Sequence, residues 1–120
     1  MVVTNIAKQI VAYNIANSGL PVPTYFIIGS GSGTVSITDT TLFNSVDRQL
    51  FTSTATGTVQ KVTWQGDWNS VEMSGITLTE FGVIPTGATL TGSIWSHTSF
   101  PSIIFDGTNE LRIEETWEVY

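Results

Sequence analysis

Apolar and polar residues alternate in short runs along most of the chain beyond residue 23. Turn-forming residues separate these runs, and each run has a length typical of a β-strand. The predicted strands are Tyr25–Ile28, Gln49–Ala55, Val59–Gln65, Ile76–Ile84, Thr89–Thr98 and Glu110–Tyr120. Residues 55–58, 85–88 and 106–109 have the composition of hairpin turns. The pattern predicts an all-β fold, either an antiparallel β-sandwich or a small barrel.

The first twenty residues follow a different period. Apolar side chains recur at helical spacing in residues 4–18, with Thr4 or Asn5 available as the N-cap and Gly19 as the stop. The opposite face of this segment is polar but almost uncharged, and Tyr13 lies near its edge. We therefore predict one N-terminal α-helix, which packs either on its own sheet or on a neighbouring subunit.

A length of 120 residues fits one domain. Within it we predict the N-terminal helix in residues 1–20, a strand with a Gly/Ser loop or arm in 21–48, and antiparallel strands in 49–120. The last strand places Ile113, Glu115 and Trp117 on the same face. A carboxylate on an apolar face needs a partner, and Arg48 is the candidate for both Glu115 and Glu80.

Charge and composition narrow the function classes. Only 12% of the residues are charged, against about 25% in ordinary soluble domains. The net charge of −6 argues against binding to nucleic acid or to an anionic membrane. No apolar run approaches the roughly 20 residues that span a bilayer, and no secretory signal is recognisable. We expect a soluble protein made in the cytoplasm, with no cofactor and, in the absence of cysteine, no thiolate metal site.

Four local patterns suggest chemistry, and each has a structural interpretation that we favour. Residues 29–33 form a GxGxG run, but neither a helix nor a Walker lysine follows it. His97 is the only histidine, and paired with Asp106 or Glu80 it would make a small hydrolase, although no nucleophile elbow is present. No catalytic residue is predicted.

The other two patterns are acidic and aromatic. Asp67, Glu72 and Glu80 lie near Trp64 and Trp68, an arrangement that glycosidases use, but their spacing also suits turns and hydrogen bonds. It does not match a calcium-binding loop. The tryptophans, together with Trp95, would form a carbohydrate-binding platform if they were exposed, whereas burial in a core or an interface is the alternative. No metal site is predicted.

Several motifs, taken in order, resemble a family of small structural proteins of tailed bacteriophages. The first group is Pro23-Thr24 with Gly29 and Gly31, then Asp39-Thr40 with Leu42, and then Arg48. The second group comprises Glu72, Gly75-Ile76, Leu78, Glu80-Phe81-Gly82, Leu90, Phe100 and Glu110-Leu111-Arg112-Ile113. The chain departs from the family pattern at residues 44–47 and 85–87. The resemblance implies a non-enzymatic virion component associated with the tail, neck or fibre.

Low charge and abundant aromatic residues also suit a subunit whose sheets are covered by further copies. We predict a homo-oligomer, with a trimer as the first expectation, that contacts other virion proteins. A capsid decoration protein and a carbohydrate- or receptor-binding module are the alternatives. The expected assembly contacts are Tyr13, Pro23, Tyr25, Gly29, Gly31, Asp39, Leu42, Arg48, Trp64, Trp68, Glu80 and Trp95.

Overall fold

A computed structural model describes residues 2–5, 7, 23–58, 61–85 and 94–118. These residues form antiparallel strands and one short helix, α1, at Ser70–Met73. The strands are β1 (Val2–Val3), β2 (Pro23–Gly29), β3 (Ser45–Leu50), β4 (Ser53–Thr58), β5 (Lys61–Trp68), β6 (Thr77–Pro85), β7 (Ser96–Ile104) and β8 (Leu111–Glu118). The predicted all-β class is therefore confirmed for the described part of the chain.

The strands form two sheets. The larger sheet has the order β1-β7-β6-β2-β3, and the smaller has the order β4-β5-β8. β2 lies in the interior of the larger sheet, where it pairs with β3 on one side and β6 on the other. Its residues 26–29 are all buried, which explains why an apolar run rather than an alternating pattern encodes this strand.

One core cluster draws side chains from both sheets. Phe26 and Ile28 from β2 contribute to it together with Trp64 and Trp68 from β5. The Phe26 ring meets the Phe51 ring edge-on at 4.8 Å between centroids. Aromatic pairs of this kind add to the free energy gained by burial, so the cluster links the two sheets strongly.

A second cluster lies on the opposite face of the larger sheet. Ile27 and Ile84 project from β2 and β6, and Leu42 and Ile94 pack on them from outside the strands. Period-two alternation in β2 thus divides its side chains between the two clusters. The loop formed by residues 30–44, here called the 30–44 loop, supplies Leu42 and covers part of this face.

The helix α1 begins with a capping box. The Asn69 side chain accepts a hydrogen bond from the Glu72 amide at 2.8 Å, and Glu72 Oε1 accepts one from the Asn69 amide at 3.0 Å. These contacts satisfy two amides that the first turn leaves unpaired. The Glu72 side chain therefore caps the helix in which it lies.

Several predicted strands are confirmed with shifted bounds, and others are not. The predicted strand 49–55 is interrupted at residues 51–52, so its two ends belong to β3 and β4 in different sheets. Residues 89–93 of the predicted strand 89–98 lie outside the described residues, whereas its residues 96–98 belong to β7, which extends to Ile104. β1 was not predicted.

The predicted turns have three outcomes. Residues 55–58 belong to β4, which contradicts the turn predicted there. Residues 86–88 lie outside the described residues. At 106–109 the turn is present, and Asp106 Oδ1 accepts hydrogen bonds from the amide and hydroxyl of Thr108, but it connects two sheets and does not close a hairpin.

The predicted N-terminal helix and Tyr13 lie almost entirely outside the described residues. Within them, Thr4 Oγ1 accepts a hydrogen bond from the Ala7 amide at 3.2 Å, which is the contact expected of an N-cap threonine. The Thr4 hydroxyl also donates to the Ile94 carbonyl oxygen at 2.7 Å. The start of this segment is thus fixed next to β7.

Candidate functional site

The Glu80 carboxylate is the centre of a buried polar network beneath the 30–44 loop. Glu80 lies on β6 and is 0% exposed. Its Oε1 accepts hydrogen bonds from the Phe43 amide at 2.8 Å and from His97 Nε2 at 2.8 Å. Its Oε2 accepts from the amides of Gly31 at 2.8 Å and Asn44 at 2.9 Å. One side chain thereby anchors both ends of the loop.

His97 connects Glu80 to the middle of the loop. The residue lies on β7 opposite Gly82 and is 0% exposed. Its Nδ1 lies 2.7 Å from Asp39 Oδ2, so the imidazole has a carboxylate at each nitrogen. The Phe43 ring covers the imidazole at 4.6 Å between centroids. Water is excluded from the ring.

The loop has the shape of an Ω-loop, because its two ends meet. The Ser30 amide donates to the Asn44 carbonyl oxygen at 3.0 Å, and Thr79 Oγ1 donates to the Gly31 carbonyl oxygen at 2.5 Å. In the middle of the loop the Ile37 carbonyl oxygen accepts from the Asn5 amide at 2.8 Å. The segment predicted to be a loop or an arm therefore forms a loop that folds onto its own sheet.

Two glycines allow this close approach. A Cβ atom on Gly29 would lie 2.7 Å from Glu80 Oε2, and one on Gly31 would lie 2.6 Å from the same oxygen. Either distance is shorter than van der Waals contact allows. The GxGxG run is thus explained by the packing of its backbone on a buried carboxylate.

The geometry limits what the network can do chemically. Asp39 and Glu80 contact opposite nitrogens of the imidazole, so the three side chains do not converge on one point. Among the described residues no group of three or more histidine, aspartate and glutamate side chains could hold a metal ion. Since carboxylates occupy both ring nitrogens, neither nitrogen is available to take a proton from a hydroxyl nucleophile.

Ser96 precedes His97, but its side chain lies in a different contact. Its Oγ is 3.2 Å from each carboxylate oxygen of Glu115, which also accepts from Trp117 Nε1 at 2.9 Å. Burial raises the pKa of the Glu115 carboxyl, and these hydrogen bonds offset part of that increase. The predicted need of Glu115 for a partner is thus met by neutral donors.

Neither ion pair predicted for Arg48 is present among the described residues, since Glu80 and Glu115 have the partners given above. The guanidinium carbon of Arg48 instead lies 4.7 Å from the centre of the Tyr25 ring. Its Nη1 is buried and has no hydrogen-bond partner. A cation–π contact therefore replaces the expected salt bridge.

The tryptophans are buried, as the favoured interpretation expected, and the alternative of an exposed carbohydrate-binding platform does not fit the structure. Trp64, Trp68 and Trp95 are all buried, and Trp68 Nε1 donates to Asp47 Oδ2 at 3.0 Å. Their faces are occupied by other core side chains, so they offer no stacking surface to a sugar ring. Four of the other expected assembly contacts are also buried, namely Pro23, Gly29, Leu42 and Glu80.

The three carboxylates that suggested a glycosidase point to separate places. Glu80 lies beneath the loop, Glu72 caps α1, and Asp67 accepts a hydrogen bond from Arg112 Nε at 2.7 Å. The Arg112 contact, together with Thr52 and Gln65, lowers the pKa of Asp67 to about 2. A surface cavity of about 480 Å³ lies here. Its lining residues are Asp67, Trp68, Asn69, Glu110, Leu111 and Arg112.

The contact between Asp39 and His97 was not predicted from the sequence. The two residues are 58 positions apart, and no local motif connects them. A partial signal was present, because Glu80 interrupts an apolar strand and a charge in that place requires a buried partner. The pairing of His97 with Glu80 had been considered, but only for a hydrolase.

No protein-family model, curated protein or solved structure matches this chain. The resemblance to tailed-phage structural proteins therefore stays a prediction. Among the described residues, no helix is long and apolar enough to cross a membrane.

Proposed function

We propose that this protein is a structural component of a tailed-phage virion that assembles as a symmetric oligomer. The observation that carries the proposal is the outer edge of β7. β1 pairs only with Ser96 and His97, and no described strand pairs with the outer side of residues 98–104. Ile103 and Ile104 on this edge are 48% and 75% exposed.

An unpaired strand edge presents backbone N–H and C=O groups that another chain can pair with. Pro101 removes one donor from the edge and thereby limits the stretch available to a partner strand. Two exposed isoleucines next to such an edge favour a buried protein contact over permanent exposure to water. These features suit a subunit whose surface is completed by assembly.

The distribution of charge favours a second copy as the partner. Residues 98–104 contain no charged residue, and the 30–44 loop contains only Asp39, which contacts His97. Carboxylates of the described residues that lie near the surface are instead found on β3, β5, β8, α1 and the 106–110 connection. Two copies with a net charge of −6 meet with least repulsion through their uncharged surfaces.

A non-enzymatic role is consistent with the way the chain uses its reactive residues. His97, Asp39 and Glu80 are occupied in holding the 30–44 loop. We infer that the two sheets pack as a β-sandwich, since they share one core cluster. The resemblance supplies the association with a virion, and a trimer is the expected oligomer.

Light scattering coupled to size-exclusion chromatography tests the assembly. We expect a discrete oligomer for the wild-type chain and a shift to monomer for Ile103→Lys, because a lysine on an edge strand opposes pairing. Leu50→Lys is the matched control: Leu50 is 54% exposed on β3, at the opposite edge of the same sheet, and the charge change is the same. A wild-type monomer, or equal effects of both substitutions, would contradict assembly through β7.

The location is tested separately. Antibodies against the purified chain should label particles of a tailed phage that encodes it, and the position of the label identifies the tail, neck or capsid. A monomer in solution that labels the capsid lattice would favour the decoration protein. Absence of the chain from purified particles would refute the virion role.

A further inference from the structure

The surface cavity of about 480 Å³ lies where the ladder between β5 and β8 ends. The last residues paired there are Trp68 and Leu111. Beyond this pair the two backbones separate, because β5 leads into α1 whereas the 106–110 connection leads into β8. Residues of both strands and of both connections line the resulting gap. Its volume lies within the range of about 300–1,000 Å³ that small-molecule sites have.

The ion pair between Arg112 and Asp67 forms a fixed part of the cavity wall. Arg112 Nε donates to Asp67 Oδ1 at 2.7 Å. Asp67 Oδ2 in turn accepts from Thr52 Oγ1 at 2.8 Å and from Gln65 Nε2 at 3.0 Å. These contacts hold the carboxylate and, through it, the guanidinium, whose Nη1 and Nη2 have no hydrogen-bond partner among the described residues. Donors that are already held in place lose less entropy when they bind a ligand.

Two more polar side chains of the cavity have free hydrogen-bonding groups. Asn69 uses its Oδ1 atom to cap α1, and its Nδ2 group bonds to no other described residue. Glu110 is exposed, and its carboxylate also has no hydrogen-bond partner within the described part of the chain. The cavity therefore offers free donors on Arg112 and Asn69 and a free acceptor on Glu110.

The charges of the cavity disfavour an ionic ligand. Two carboxylates, Asp67 and Glu110, line it together with one guanidinium, so a phosphate or carboxylate ligand would be repelled. The described residues contain no group of three or more side chains that could hold a metal ion. An organic cation would lie next to the Arg112 guanidinium, which already occupies the Asp67 carboxylate. A neutral ligand that both donates and accepts hydrogen bonds fits these groups best.

We propose that this cavity binds a neutral saccharide. Each sugar hydroxyl is both a donor and an acceptor. Two adjacent hydroxyl oxygens can accept from the planar pair of Nη groups on Arg112, while a further hydroxyl donates to the Glu110 carboxylate. The half-buried Leu111 supplies an apolar contact for the C–H groups of the sugar ring. This site recognises hydroxyl groups and needs no exposed tryptophan.

The same groups indicate binding and not hydrolysis. A glycosidase uses two carboxyl groups, one of which must be protonated to act as the acid. The hydrogen bond from Arg112, with those from Thr52 and Gln65, lowers the pKa of Asp67 to about 2, so this group is ionised at neutral pH. Its oxygens are also occupied by these donors. Glu110 is then the only carboxylate of the cavity lining that is free to contact a sugar. Saccharide binding adds a ligand to the proposed structural role and does not depend on the oligomer.

An NMR titration of the nitrogen-15-labelled chain tests the site, with glucose, galactose, rhamnose and N-acetylglucosamine as separate probes. With at least one of these sugars we expect saturable shifts of the Asn69, Leu111 and Arg112 amides, with a dissociation constant on the order of 1 mM. Inorganic phosphate and calcium chloride should leave these amides unchanged. Absence of saturable shifts with every sugar, or a stronger response to phosphate or calcium, would overturn the proposal.

Two variants identify the groups that bind the sugar. Glu110→Gln removes the free carboxylate, and Asn69→Asp keeps the oxygen that caps α1 but removes the Nδ2 donor. Each should weaken binding about tenfold. Glu114→Gln is the matched control, because this glutamate is exposed on β8 but does not line the cavity. Equal affinities of Glu110→Gln and Glu114→Gln would refute the site, and this comparison still decides if Asn69→Asp does not fold.

Discussion

Replacing Glu80 with glutamine tests whether the buried carboxylate holds the 30–44 loop. The glutamine side chain would keep one oxygen, which can accept from two of the four N–H donors around Glu80. Its NH₂ group would face the remaining two donors and could not accept from them. Because four donors converge on Glu80, two of them lose their acceptor. A buried donor without a partner costs about 1–3 kcal/mol.

The loop amides lie near the surface, where water compensates part of this cost. We therefore expect Glu80→Gln to lower the free energy of unfolding by about 3 kcal/mol. At this chain length 1 kcal/mol corresponds to roughly 4 °C, so the melting temperature should decrease by about 12 °C. Urea unfolding followed by tryptophan fluorescence gives the free energy, and circular dichroism gives the melting temperature.

Glu114→Gln is the control, because this glutamate is exposed on β8 and undergoes the same chemical change. Its effect should stay within about 0.5 kcal/mol. If Glu80→Gln were no more destabilising than the control, the hydrogen bonds to the loop would contribute no net stability. The assignment of Glu80 as the anchor would then be refuted.

Two further substitutions test neighbouring contacts. Gly31→Ala should destabilise the protein by about 2 kcal/mol, because the added Cβ would lie 2.6 Å from Glu80 Oε2. Ser32→Ala, on the exposed part of the loop, is the control. Equal urea midpoints for the two variants would contradict this packing. Glu115→Gln tests the buried carboxyl whose pKa is raised above its ordinary 4.5. The folded state binds the extra proton, so wild-type stability decreases as the pH rises above 4.5 through the raised pKa. The variant should therefore gain stability relative to wild type with rising pH, and a constant difference in urea midpoints would be inconsistent with this pKa.

The sequence allowed prediction of the fold class but not of the division into sheets. The run at Tyr25–Ile28 was recognisable because residues 26–28 are all buried. β3 was predicted only in part, since Ser45-Val46-Asp47-Arg48 has little strand propensity and its pairing with β2 supplies the order. β7 was placed too early because Pro101 disfavours a strand interior, whereas an edge tolerates it.

The candidate site was less predictable for a physical reason. A glutamate within an apolar strand signals that a partner is needed, as was predicted for Glu115. It does not indicate which partner, and three of the four donors to Glu80 are backbone amides, which have no sequence signature. The aromatic residues were recognised as important, but nothing in their spacing distinguishes a buried tryptophan from an exposed one.

The order of the strands also has a consequence for synthesis. β2 pairs with β6, β5 pairs with β8, and the 30–44 loop is anchored by Glu80 and His97. Each later segment, whether it is a pairing strand or an anchoring residue, is therefore synthesised some 40 to 60 residues after the strand or loop that it holds in place. Chains with such distant pairings fold slowly, and here the first half has no complete sheet of its own to form on the ribosome. Nearly the whole chain must therefore leave the ribosome before β2 and the 30–44 loop can form their native contacts.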